Sequence, residues 1–528
     1  MNTYTFKPVL MALMAGTLAI TSTCLAQALR STPAADKGDG TYSNPPLYAD
    51  FPDPDIIRVG DDFYFATTSF ANTPGLTILH SRDLVHWEYA AHVLPRLDGR
   101  EQYDLKNGNA YRNGIYAPSL RYHDGIFYVA VTPNGEKTRI YRSRNIAGPW
   151  TYRELDRVAF DPGLFFDADG KAYLFTSGGW DGTLTLLTLN SDLSRVEDAA
   201  QIYYNKGAEG SKVIRRGDWY YLFNAIPSRL GMTVSRARSL KGPWETHNQI
   251  DDTTGGHQGA LVDLPDGGWY GFVMVDAGAI GRVTQISPIF WQDDWPVWGT
   301  PAAPDRVPFS APLPLPAHSE LQLATSDRFD GATLGLQWQW NHNPDDARWS
   351  LQERPGFMRL KATRADGFWT ARNTLIQKGF GPTSHAVVRL DISHLQTGDR
   401  CGAGTLGKYS AQATVETATD GRRTIGLYLS EDTTEGQKTD MLATPQLLNG
   451  ASLYLRTDMN FTTAHGQIAY SPDGIAWTPL GGDFPLAYDW RTGTFQGPQF
   501  ALFCFNSTES HGYLDIDSFG MTIGDQKP

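Results

Sequence analysis

The sequence predicts an all-β chain, a five-bladed β-propeller followed by a lectin-like antiparallel β-sandwich, and three observations carry that prediction. An aromatic strand pattern recurs five times in the first half, around Tyr64, Tyr128, Tyr173, Tyr220 and Tyr270. A proline-dense segment then interrupts the chain, and a series of alternating strands of different character follows it. The last four tyrosines fall about 45–50 residues apart, the period of a propeller blade. Neither Leu-rich nor helical periodicity accompanies the repeat, which sets aside a solenoid.

At the N-terminus, Lys7 precedes the apolar run Val9 to Ile20 and then Thr-Ser-Thr-Cys-Leu-Ala-Gln. This reads as a secretory signal over residues 1–26, cleaved after Ala26 and too short to span a bilayer stably. Cys24 offers a lipoprotein reading, but Thr23 before it suits a lipid-attachment signal poorly. The expected location is the periplasm or the extracellular space, without membrane insertion after cleavage. In such a compartment Cys401 and Cys504 either pair or stay as buried free thiols.

The five repeats come next, each a turn with Asp or Gly followed by an aromatic run: DDFYFATTS, DGIFYVAVT, DGKAYLFTS, GDWYYLFNA and DGGWYGFVM. A second element, HSRDLVHW, YRSRNIAGPW or VSRARSLKGPW, follows three of them. The propeller is expected over residues 45–300. Pro301, Pro304, Pro308, Pro312, Pro314 and Pro316 then forbid helix and disfavour a central strand, which marks 301–318 as a linker. Beyond it FMRLKAT, HAVVRLDI, SAQATVET, TIGLYLS, ASLYLRTDM, HGQIAYSPDG and FALFCFN alternate between polar turns, as sandwich strands do, over 319–526.

Composition narrows the function. The net charge of −12 over 528 residues lacks the clustered positive charge that nucleic acid requires. Gly 53 and Pro 32 make the chain turn-rich, and 15 Trp, 24 Tyr and 25 Phe supply a large core with rings to spare for a binding cleft.

Three carboxylates break the repeat's habit of placing Asp in solvent turns. Asp53 lies between Pro52 and Pro54, whose fixed φ angles are expected to hold the chain extended before the first aromatic strand. Asp161 stands in AFDPGLFFD ahead of the third, and Glu209 in GAEGSKVI ahead of the fourth. Alone, an Asp-Pro is a turn starter and a Glu beside Gly a solvated loop residue. Three acids at equivalent points of three blades, whose inner strands converge on a channel, make a site.

Taken in order from about Tyr48 to Trp298, DFPDPDIIRVGDDFYFATTS, IYAPSLRYHDGIFYVAV, FDPGLFFDADGKAYLF, AEGSKVIRRGDWYYLF and GHQGALVDLPDGGWYGF resemble the glycoside hydrolase family 43 propeller. FDGATLGLQWQWNHNP is similar to the concanavalin A-like C-terminal domain attached to β-xylosidases of that family. The resemblance implies that Asp53 is a general base, Glu209 a general acid, and Asp161 the carboxylate that raises the acid's pKa and orients it. An inverting glycosidase needs such a division, one carboxylate ionised to activate water and another kept protonated for the leaving oxygen. His257 in GGHQGAL corresponds to a histidine near the channel centre that in many members binds a metal ion, often calcium, through water; a hydrogen-bonded core histidine is the competing reading. No other cofactor is implied. Arg282 in GAIGRVTQ corresponds to an arginine that reaches a sugar hydroxyl.

One departure concerns Asn72 and Thr73, which stand where xylosidases with this C-terminal domain usually carry Trp and Phe. Phe70, Trp180 and Trp291 are the candidates to replace that stacking wall. The expected activity is an exported inverting glycoside hydrolase releasing xylose or arabinose residues from xylan- or arabinoxylan-derived saccharides, with an oligo- or polysaccharide as partner and an open oligomeric state. The alternative is a non-catalytic polysaccharide-binding protein, which would have no reason to keep the carboxylate trio. A sucrose- or fructan-acting propeller would carry an early Trp-Met-Asn-Asp-Pro stretch, absent here.

Overall fold

The computed structural model describes residues 35–178, 181–250, 256–433, 436–490 and 495–524. The expected signal segment with Cys24, and Trp180, lie outside the described residues. Among the described residues the regular elements are strands and short 3-10 turns, and no helix is long and apolar enough to cross a membrane.

Five antiparallel sheets form the blades, four of four strands and the last of five, each built in sequence order. Their innermost strands, Asp55–Val59, Ser119–His123, Phe160–Phe166, Glu209–Arg216 and His257–Asp263, touch one another in a closed ring around a central channel. The five tyrosines of the repeat all lie on the second strand of a blade. That strand is covered on both sides by neighbouring blades, so it reads as a near-continuous apolar run rather than a clean alternation. Separate apolar clusters fill the wedges between blades: Ala66, Ile78 and Val93 against Leu120 and Val129, then Tyr128 and Ile140 against Leu164 and Leu174, then Phe175 and Leu186 against Val213 and Leu222. The remaining wedges, holding Phe223, Phe272, Ile286 and Phe65, are continuous with the interior of the second half.

That half is a sandwich of a nine-stranded and an eight-stranded sheet. The larger sheet runs from Gly436–Leu448 at one edge through Arg423–Thr433, Tyr409–Thr417, Arg400–Leu406, Gln499–Asn506, Leu375–Lys378 and Gln339–Asn341. Its last member is Asn72–Thr73, from the first blade: Thr73 pairs with Trp340 and Asn72 with Asn341. Side chains reinforce the splice, since Thr73 Oγ1 donates to the His342 carbonyl at 2.6 Å and Gln339 Nε2 to that of Pro74 at 2.7 Å. Within the same sheet Cys401 stands opposite Cys504 and forms a disulfide with it. The proline-rich segment is not bare tether. Ser310–Pro312 pairs with Thr41–Ser43, so this stretch folds back along the start of the propeller.

Candidate active site

Four of the five inner strands begin with a residue in the left-handed region, and this lays out the site. Asp53 has φ 55°, Asp161 44°, Gly210 59° and Gln258 55°. Register shifts follow in blades three, four and five, between Phe160 and Gly163, Glu209 and Lys212, and His257 and Gly259. A bulge re-aims the side chain next to it, here from the face of the blade into the channel. Aspartate tolerates positive φ better than most residues, which fits its use at two of these points.

Asp53 is therefore not extended, as its flanking prolines suggested: Pro54 favours extended backbone in the residue before it, but contacts from the rest of the blade override that preference. The kink is pinned locally. Thr67 Oγ1 and the Thr68 N–H both donate to the Pro52 carbonyl, at 2.6 and 3.2 Å.

Asp53, Asp161 and Glu209 meet in one cavity of about 380 Å³ at one end of the channel, together with Arg282, His257, Gln258, Met274 and Asp276. Arg282 Nη1 donates to Asp53 Oδ1 at 3.1 Å, both side chains being buried. A second layer holds that arginine. Asp50, fully enclosed, accepts the Arg282 N–H at 2.8 Å and the Gly497 N–H at 3.1 Å, while Lys378 Nζ donates to the Asp50 carbonyl at 2.6 Å. Gly497 and Lys378 come from the sandwich, so both halves of the chain fix the arginine beside Asp53.

Burial above all, then the charge of Asp161 and that of Asp53, pushes Glu209 up to about 9, with Arg282 opposing. Burial and then the charge of Asp53 push Asp161 up to about 7, against Lys212 and an N–H donated by Gly210. Three acids crowded into one largely buried cavity cannot all ionise, and Glu209 holds its proton most firmly.

Of the two proposed wall residues that are described, Phe70 reaches the cavity. Its ring stacks on Phe495 at 5.3 Å and 13°, with Tyr116 edge-on at 5.9 Å and the Arg282 guanidinium 5.5 Å from its centroid. Trp291 does not reach it. It lies near the far end of the strand Arg282–Gln292, packed against Tyr221 and Trp269 with Arg216 over its face. Asn72, the residue at the departure point, is turned into the splice with the sandwich, its amide donating to Gln499 Oε1 at 3.3 Å.

In place of the missing Trp and Phe the sandwich contributes Tyr488, Trp490 and Phe495 to the cavity wall. Sequence reasoning passed over them and over Tyr116, Gln258 and Asp276. The only signal was proximity: Gln258 follows His257 in the same motif. Two buried polar atoms of the lining, Gln258 Nε2 and Asp276 Oδ1, have no hydrogen-bond partner among the described residues, the condition in which a polyhydroxylated ligand finds its contacts.

His257 lines the cavity with Nε2 3.9 Å from Asp276 Oδ1. Among the described residues no three His, Cys, Asp or Glu side chains gather as a metal site. One imidazole and one carboxylate do not build the shell of 6–8 oxygens that calcium takes. The protein groups alone thus do not fit a directly bound calcium ion, and no chemical step is routed through one.

Comparison with known proteins adds to the geometry. Residues 42–296 match Glycosyl hydrolases family 43, and residues 326–522 match the Beta xylosidase C-terminal Concanavalin A-like domain. A beta-xylosidase of Formosa agariphila is 30% identical over 92% of this chain and 90% of its own length. A non-reducing end alpha-L-arabinofuranosidase of Bacteroides ovatus is 35% identical over 61% of this chain and 65% of its own. The solved structure of a GH43 glycoside hydrolase, engineered to display both endo-xylanase and exo-arabinofuranosidase activity, is similar with a TM-score of 0.83 at 28% identity, over 91% of this chain and 99% of that one.

Proposed function

The chain belongs to glycosyl hydrolase family 43, and on that premise we propose that it is an exported, inverting glycosidase that releases xylose or arabinose residues from xylan- or arabinoxylan-derived saccharides. Glycosidase activity follows from the family and from relatives named beta-xylosidase and alpha-L-arabinofuranosidase. The pattern around Lys7 and Val9–Ile20 supports export, as does a Cys401–Cys504 disulfide, a bond that persists in oxidising compartments.

One observation carries the mechanism: the same cavity holds a carboxyl kept protonated, Glu209, and a carboxylate bonded to a permanent cation, Asp53 on Arg282. Asp53 then takes a proton from the attacking water, and Glu209 gives its own to the departing glycosidic oxygen. Burial first, and then the negative charge of Asp161, which accepts the Gly210 N–H beside Glu209, keep the acid loaded. The stacked pair Phe70 and Phe495 forms an aromatic wall for a sugar, and Arg282 offers its guanidinium edge for a hydroxyl.

NMR of the anomer first released from p-nitrophenyl β-xyloside and α-arabinofuranoside tests the reading. Inversion is expected, and a product of retained configuration would overturn the roles of Asp53 and Glu209. The faster of the two substrates identifies the sugar.

A further inference from the structure

Beneath the carboxylate trio lies a lysine that the proposed mechanism does not use. Lys212 is 1% exposed, one of the largest fully buried side chains in the protein, and sits on the strand Glu209–Arg216 just past the bulge that aims Glu209 into the cavity. Its ammonium donates to the Pro118 carbonyl of blade two at 2.9 Å. Burial pulls the pKa of this ammonium down and the carboxylates of Asp55, Asp161 and Asp53 pull it back up, so its charge depends on being balanced nearby.

The charged groups facing it are Asp55 and Asp53 of blade one, Arg121 of blade two and Asp161 of blade three. Asp55 is already committed: its carboxylate takes the Arg121 guanidinium at 2.8 Å and the Leu120 N–H at 2.8 Å. That pair is neutral by itself. What remains for Lys212 is the trio above it, where Arg282 is bonded to Asp53 and Asp161 has no cationic hydrogen-bond partner among the described residues.

We propose that Lys212 is a positioning residue for the proton: its charge, delivered from below the site, keeps Asp161 ionised, and Asp161 in turn keeps the proton on Glu209. The channel then balances, two carboxylates (Asp53, Asp161) against two cations (Arg282, Lys212), with Glu209 neutral. In agreement, the Lys212 charge opposes burial and the Asp53 charge at Asp161 more strongly than the Gly210 N–H or Arg282 does. This inference rests on the general-acid reading of Glu209.

The test is the pH dependence of kcat/KM for Lys212→Gln, Lys212→Met and Lys212→Arg beside Glu209→Gln. The acid limb reports a second proton entering the trio. Removing a positive charge favours that proton, so the limb should move to higher pH in Lys212→Gln and Lys212→Met, lowering kcat/KM on the acid side about threefold or more while the alkaline side changes less. Lys212→Arg should leave the limb in place. Gln can still donate to the Pro118 carbonyl, so a Lys212→Gln profile identical to wild type would show that Lys212 serves only as a hydrogen-bond donor and would overturn the proposal. If Lys212→Met does not fold, Lys212→Gln decides alone; if both lose the fold, an acid limb displaced in Lys212→Arg as well overturns the charge argument, and an undisplaced one supports it. Glu209→Gln separates the two levels: loss of the alkaline limb there supports the general acid, whereas retention of that limb sinks the reading on which this one stands.

Discussion

Replacing Glu209 with glutamine should make the protein more stable while removing its activity on natural substrates. The folded protein holds the Glu209 carboxyl protonated up to about 9, whereas the unfolded chain releases it near the ordinary value of 4.5. Between those two values the folded state carries one proton more than the unfolded state, so this group's contribution to stability is fully present below pH 4.5 and declines through pH 9. The slope is about 1.4 kcal/mol per pH unit. At pH 7 the wild-type enzyme has therefore lost about 3 kcal/mol. Water reaching the partly exposed carboxyl trims this to about 2 kcal/mol. Glutamine has the same shape and no proton to hold, so it should recover that amount. At about 2.1 cal/mol/K of unfolding entropy per residue, a cooperative unit of about 500 residues would rise in Tm by about 2 °C. Calorimetry of wild type and Glu209→Gln from pH 4.5 to 9 should show a gap that is absent at the acid end and widens with pH. A gap independent of pH, or a variant less stable than wild type at pH 8, would refute the claim that Glu209 is folded in the protonated state.

The other predictions concern the base, the wall and the junction. Asp53→Ala should lower kcat about 10³-fold on every substrate, whereas Glu209→Ala should cost far less on a nitrophenyl glycoside than on an oligosaccharide, because only the latter needs the proton; equal losses on both in steady-state assays would argue against the division of labour. Phe495→Ala removes a ring of the cavity wall together with the partner that holds Phe70 in place, and should raise KM several-fold with a smaller change in kcat. Cleavage of the backbone within residues 301–318 should leave both halves associated on gel filtration, since the Asn72–Thr73 splice and the Asp50, Lys378 and Gly497 contacts do not run through that segment.

The blades were legible because their signal is local. Each second strand carries its tyrosine and its apolar run in one continuous stretch, covered on both sides in the same way five times over. Asp53, Asp161 and Glu209 could be picked out because each stands at the head of an inner strand, just ahead of such a run and at the same point of its blade. What the sequence concealed depends on distance along a strand or across the chain. Trp291 and Arg282 share one strand, and only the strand's full length of 11 residues separates a place in the cavity from a place at the far end of the blade. Tyr488, Trp490 and Phe495 belong to a loop with no periodicity, more than 200 residues beyond the propeller motifs, so nothing in their surroundings points to the channel. The kink at Asp53 was hidden for a third reason, since it is imposed by Thr67 and Thr68 pulling on the Pro52 carbonyl rather than by the prolines beside it.

The two residues Asn72 and Thr73 set a condition on how this protein can be recombined with its relatives. By chain order they belong to the first blade, but by hydrogen bonding they close one end of the nine-stranded sheet. A chimera cut at the prolines, with this sandwich and a propeller whose corresponding turn has another length, would leave the backbone groups of Gln339–Asn341 facing water. An open edge of that kind invites pairing with other chains, so such a hybrid should be lost to aggregation before its active site could be assayed. The exchangeable unit is therefore the sandwich together with the tip of a turn some 270 residues upstream, and a library of hybrids that carries both should yield far more soluble enzyme than one divided where the prolines are.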